Sequence, residues 1–251
     1  MALKKFPSLG VLTLEGGPAG GTTAWPSGSM LNPATFGFPV IWETVSGAWA
    51  ESVIRGDRAL ESPCIEAARR LVERGANAIT ADCGFFIRHQ EAVAAVVNVP
   101  VAMSSLLLIP TLLRQLPPAA KLAIVTADSA HCDKDLLGVK DPADRERVVI
   151  GGGIESSTLH RFEMMCPSRP TEVAETKTDV AAKAEIAACV ADIETDVMAC
   201  IARLRAAHPD IAAILFECTV FSIVAPAIRC ATKLPIYDLT NLCRLTFKSV
   251  A

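Results

Sequence analysis

Short apolar runs alternate along this chain with segments whose apolar residues recur at helical spacing. The runs are 9–14, 40–45, 78–81, 99–102, 122–126, 148–150, 212–216 and 234–237. They lack the apolar/polar alternation of a half-exposed sheet and predict parallel strands covered on both faces, hence an α/β fold.

Two helical segments are well marked. Ser62 and Pro63 read as an N-cap and first helical residue, Ile65, Ala68, Leu71 and Val72 share one face, and Gly75 closes the segment. Later, Ile186, Val190, Ile193, Val197, Ile201 and Leu204 follow at three- and four-residue steps until Pro209 stops the run. On this second helix Met198 and Cys200 read as packing residues.

The two halves superpose at an offset of 135 residues, which lays Cys83 on Cys218 and Pro100 on Pro235. Each half reads strand, Cys, helix, Pro, strand. The pattern predicts two pseudo-symmetric doubly wound lobes with parallel sheets. Lobe 1 is expected over 1–105 and lobe 2 over 106–238.

Composition narrows the function classes. At 51% hydrophobic and 20% charged residues the chain is globular rather than disordered. A net charge of −3 without a basic stripe argues against nucleic acid as a partner. No apolar run reaches the roughly 18 residues of a membrane span, and Pro7, Ser8 and Gly10 interrupt any signal-like segment, so a cytoplasmic protein without a membrane partner is expected. Nine cysteines without a C-x-x-C pair, and four histidines, give neither a disulfide framework nor a zinc site.

Most of those thiols read as small core residues. Cys83 and Cys218 differ, because both stand just past a strand and before a helix. At the carboxyl edge of parallel strands such positions face the ligand crevice, and a following helix N-terminus is expected to lower a thiol pKa. Across a pseudo-twofold axis the two sulfurs would flank one ligand. One could remove a proton while the other returns one to the opposite face.

The segments TADCGFF and FECTVF, with SGSMLNPATFGFPV near the start, SSLLLIP after the first half and IVTAD at the head of the second, resemble the aspartate/glutamate (and hydantoin) racemase superfamily. The resemblance runs from about Gly10 to Leu245. It implies two flavodoxin-like lobes with the active site in the cleft between them, lobe 1 being completed by a C-terminal helix at 239–251. It further implies an enzyme that needs neither pyridoxal phosphate nor metal, with Cys83 and Cys218 as the acid/base pair, and a homo-oligomer. Many amino-acid racemases of this group carry Asn-Thr after the first Cys, where this chain has Gly84 and Phe85.

The resulting expectation is a racemase or epimerase acting beside the carbonyl of a small carboxylate or hydantoin. Gly84, Phe85, Thr219 and Val220 would hold the carboxylate through backbone N–H groups, with Asn32, Ser104, Ser105 and Thr126 as further substrate-binding candidates. On the same fold, a maleate-type isomerase or an arylmalonate-type decarboxylase is the alternative, and a non-catalytic carboxylate-binding module is the alternative of another class. Gly16, Gly17, Gly20 and Gly21 approach phosphate-loop spacing, but Thr22 replaces the lysine, so they read as a loop bordering the crevice. Gly151 to Gly153 read as a strand exit, His89 as a residue facing away from Cys83, and His131 and His160 as loop or surface residues.

Overall fold

The computed structural model describes residues 7–16, 25–152 and 179–250, with the side chains of 179–182 excepted. Gly17, Gly20, Gly21, Thr22, Gly153 and His160 lie outside the described residues. The strands β1 (Ser8–Thr13), β2 (Val40–Thr44) and β3 (Ala76–Ala81) form one parallel sheet in the order β2-β1-β3. A second parallel sheet has the order β5-β4-β6-β7, from β4 (Lys121–Thr126), β5 (Val148–Gly152), β6 (Ile211–Phe216) and β7 (Ile236–Tyr237). Of their central strands, β1 is wholly buried and β4 and β6 are buried except at Lys121 and Ala212, which is why they read as continuous apolar runs.

The expected strand at 99–102 shrinks to a single bridge between Ile79 and Val101. Pro100 has no N–H to give a ladder, although its carbonyl still accepts from Ile79. In the second lobe the Pro235 carbonyl accepts from Ile214 in the same way. The equivalence continues to the strand ends: Asp82 N–H donates to Leu12 O and Glu217 N–H to Val125 O, each at 2.9 Å, while Phe86 N–H donates to Cys83 O and Phe221 N–H to Cys218 O, each at 3.2 Å. The donors in all three matched pairs stand 135 residues apart, as do the Pro100/Pro235 and Cys83/Cys218 acceptors, while Leu12 and Val125 lie on β1 and β4 at an offset of 113, so the duplication extends to individual backbone hydrogen bonds.

The first marked helix (Glu61–Glu73) begins one residue before Ser62. A 3-10 turn at Arg58–Leu60, capped by the Asp57 carboxylate, runs straight into it, so Ser62 is inside the helix rather than its cap. Its other end is as expected: Gly75 takes φ 101° and its N–H closes on Val72 O. The long helix (Asp179–Ala207) buries Ile193, Val197 and Ile201 together with Cys189 and Cys200 against the second sheet. The final helix (Leu239–Lys248) starts with a reciprocal cap between Asp238 and Asn241 and packs back on β1 and β3. There Phe247 stacks on Phe38, and Arg244 donates to Thr35 O at 2.6 Å. Among the described residues no helix is long and apolar enough to cross a membrane.

Candidate active site between the lobes

Cys83 and Cys218 each occupy the residue between a strand-end carboxylate and a 3-10 turn, Gly84–His89 in the first lobe and Thr219–Ile223 in the second. Both backbones are extended, and neither side chain caps its turn. Both thiols are partly buried and reduced, and Cys218 is near enough to Cys83 to add to the rise in its pKa. The turns meet across the interface. The Thr219 hydroxyl donates to the Asp82 carbonyl, and the Ser105 hydroxyl donates to Phe216 O at 2.7 Å.

The helix-terminus expectation for thiol acidity is corrected at Cys83. Its pKa lies well above the ordinary thiol value because burial penalises the thiolate, and the Glu217 and Asp82 carboxylates add repulsion that the Phe85 N–H only partly offsets. Short 3-10 turns supply too small an aligned dipole to win against two carboxylates. Cys83 is therefore a thiol near neutral pH.

The group that sequence reasoning missed is Glu217. Its side chain is completely buried; Oε2 accepts from the Thr126 hydroxyl at 2.7 Å, and Oε1 has no hydrogen-bond partner among the described residues. Burial pushes its pKa up to about 7, with Asp128 adding to the rise while Thr126 and Arg88 oppose it. A Cβ built on Gly84 would collide with the Glu217 carbonyl and with Oε1, so the absence of a side chain at 84 is what lets this carboxylate reach across the interface. A signal was present in the chain, since the offset that pairs the cysteines also lays Asp82 on Glu217 and puts a carboxylate before each.

The remaining predicted residues divide clearly. Gly84, Phe85, Thr219 and Val220 lie on the two turns beside the cysteines, and the Phe85 N–H is directed to the Cys83 sulfur. Thr126 joins them through Glu217. Ser104 is spent as a cap on Leu106 N–H, and Ser105 on the bond to Phe216. Asn32 is equally engaged, donating to Trp25 O at 2.6 Å and accepting from Ala34 N–H at 2.9 Å, which is the turn-starting role common for Asn before Pro. His89 is buried, with its pKa lowered by desolvation, and His131 pairs with Asp128 at 2.9 Å. Among the described residues no three metal-ligating side chains cluster.

No protein-family model matches the chain. It is 29% identical over 248 residues to a dimethylsulfoniopropionate lyase of Durusdinium sp. clade D, covering 93% of this chain and 72% of that one. It is 27% identical to dimethylsulfoniopropionate lyase 7 of Emiliania huxleyi (strain CCMP1516), covering 95% of this chain and 66% of the relative, and it spans 60% of the length of two further Emiliania lyases. Among solved structures it is similar to a variant of arylmalonate decarboxylase at a TM-score of 0.55 and 15% identity, covering 97% of this chain and 94% of the other. A glutamate racemase from Bacillus anthracis superposes with the same TM-score at 12% identity, covering 97% and 79%. The Picrophilus torridus aspartate racemase gives 0.51 at 11%, covering 97% and 94%. The two parallel sheets, their repeated strand-end cysteines and these superpositions together give the chain the two-lobe fold of the aspartate/glutamate racemases and arylmalonate decarboxylase.

Proposed function

We propose that this protein is a lyase that removes the proton α to a carboxylate and expels a β-substituent, with dimethylsulfoniopropionate as substrate. The observation that carries the reading is the pair of strand-end cysteines facing one interface, in a chain whose similarity to the lyases covers both lobes. Burial and two carboxylates keep Cys83 protonated, and we assign the role of base to Cys218. Its thiolate takes the α-proton, the C–H electron pair becomes the carbon–carbon double bond, and the carbon–sulfur pair leaves with sulfur. Dimethyl sulfide and acrylate result, and the Cys218 proton returns to solvent. In this reading the N–H groups of Gly84, Thr219 and Val220 hold the substrate carboxylate as negative charge develops on it.

Racemisation is the second reading, favoured by the matched backbone hydrogen bonds around the two cysteines. The two reactions make different demands. Elimination needs one base, whereas inversion needs a base and an acid on opposite faces. Proton NMR in heavy water with dimethylsulfoniopropionate, aspartate, glutamate and 5-substituted hydantoins separates them. Acrylate formation abolished by Cys218→Ser and reduced less by Cys83→Ser supports the lyase. Exchange at the α-carbon of an amino acid or hydantoin, abolished by either substitution, with no acrylate, replaces it with a racemase.

A further inference from the structure

A buried carboxylate with one unpartnered oxygen, set beside a cysteine pair, is costly unless it serves a ligand. Glu217 contacts the first lobe at Gly84 and the second at Thr126, and it follows the β6 strand end directly into Cys218. We propose that Glu217 is a substrate-recognising residue whose acid form donates Oε1–H to the carboxylate of the substrate, while the Thr126 hydroxyl holds Oε2. This inference rests on the carboxylate-substrate reading above and names the group that reads the carboxylate.

The geometry fits that role in three respects. Oε2 is occupied, so the proton belongs on Oε1, the oxygen facing Gly84. An ionised Glu217 would repel a carboxylate in a buried site, whereas the neutral acid attracts it and strengthens its bond as enolate-like charge grows. Gly84 carries no side chain, and the Glu217 carboxylate of the other lobe occupies the space one would fill. The pKa near 7 means that both forms are accessible, and an arriving anion draws a proton onto the residue. The other ionisable groups around it are Asp82 and Cys83 from the β3 end, Arg88 from the first turn, Asp128 with its partner His131 beyond β4, Cys132 next to them, and Cys218, the next residue of the chain.

The test is proton-linked binding of propionate, a carboxylate with no leaving group. Isothermal titration calorimetry at pH 8 in buffers of different ionisation enthalpy reads the protons taken up. The expected result is uptake approaching one proton per site, with affinity falling about tenfold per pH unit above neutrality. Glu217→Gln, which keeps a donor and cannot titrate, binds propionate with no uptake and a flat pH profile. The double variant Cys83→Ser, Cys218→Ser retains the uptake. Binding without uptake in the unsubstituted protein, uptake that survives Glu217→Gln, or no binding of propionate at any pH would overturn the proposal; the first and third need no variant to fold. Because propionate cannot be eliminated, proton-linked binding without turnover of dimethylsulfoniopropionate rejects the lyase reading alone. Turnover without proton-linked binding rejects the role of Glu217 alone.

Discussion

The carbonyl and carboxylate of Glu217 fill the space in which a side chain at Gly84 would begin. One neighbour in that contact is backbone and cannot swing aside. Gly84→Ala is therefore expected to push the two turns apart, lowering stability by about 1–3 kcal/mol and displacing Oε1 from the site. Thermal unfolding, read together with turnover, checks it.

The raised pKa of Glu217 sets a pH dependence of stability. The folded protein holds this proton up to about pH 7, whereas the unfolded chain releases it near the ordinary value of 4.5. Between those values the folded state binds more protons, so this group's contribution to unfolding free energy falls as pH rises. The loss is on the order of 3 kcal/mol, complete above pH 7. Denaturant titrations across pH 5 to 8 should show the decline, and Glu217→Gln should remove it. Thr126→Val, which deletes the donor that favours the carboxylate, should move the decline to higher pH.

Thiol chemistry gives an independent view of the same electrostatics. Cys230 is exposed and should be alkylated first by iodoacetamide at pH 7, with Cys83 slow because it is held as a thiol. Replacing Glu217 by Gln removes one of the two carboxylates that repel the thiolate. Mass spectrometry of time courses at several pH values should then show Cys83 reacting at lower pH than in the unsubstituted protein.

The hydroxyl of Ser105 ties the first lobe to the Phe216 carbonyl of the second, and both groups are buried. Ser105→Ala leaves that carbonyl without this donor, and a cost of about 1–3 kcal/mol is expected. A single cooperative transition moved to lower denaturant concentration would check it.

The strand pattern was legible because these strands are buried on both faces, and so were the long helix and the offset that pairs Cys83 with Cys218. Other features misled for definite reasons. Ser62 has the chemistry of a cap but is overtaken by the turn before it, and the apolar run around Val101 is cut to one bridge beside Pro100. Asn32 and Ser104 have polar groups suited to a ligand, yet the nearest backbone claims them.

What the chain determined alone was periodic or repeated: a parallel α/β layout in two related halves, and a cysteine at each matching strand end. Those features depend on local spacing and on burial of whole strands. The state of the Cys83 thiol and the importance of Glu217 depended instead on which groups lie beside each other after folding. Glu217 reaches Gly84 only because the two lobes close on one another, and its proton is held only because that closure takes its carboxylate out of water. Desolvation and charge proximity are properties of three-dimensional neighbours, and only the tertiary structure could decide them.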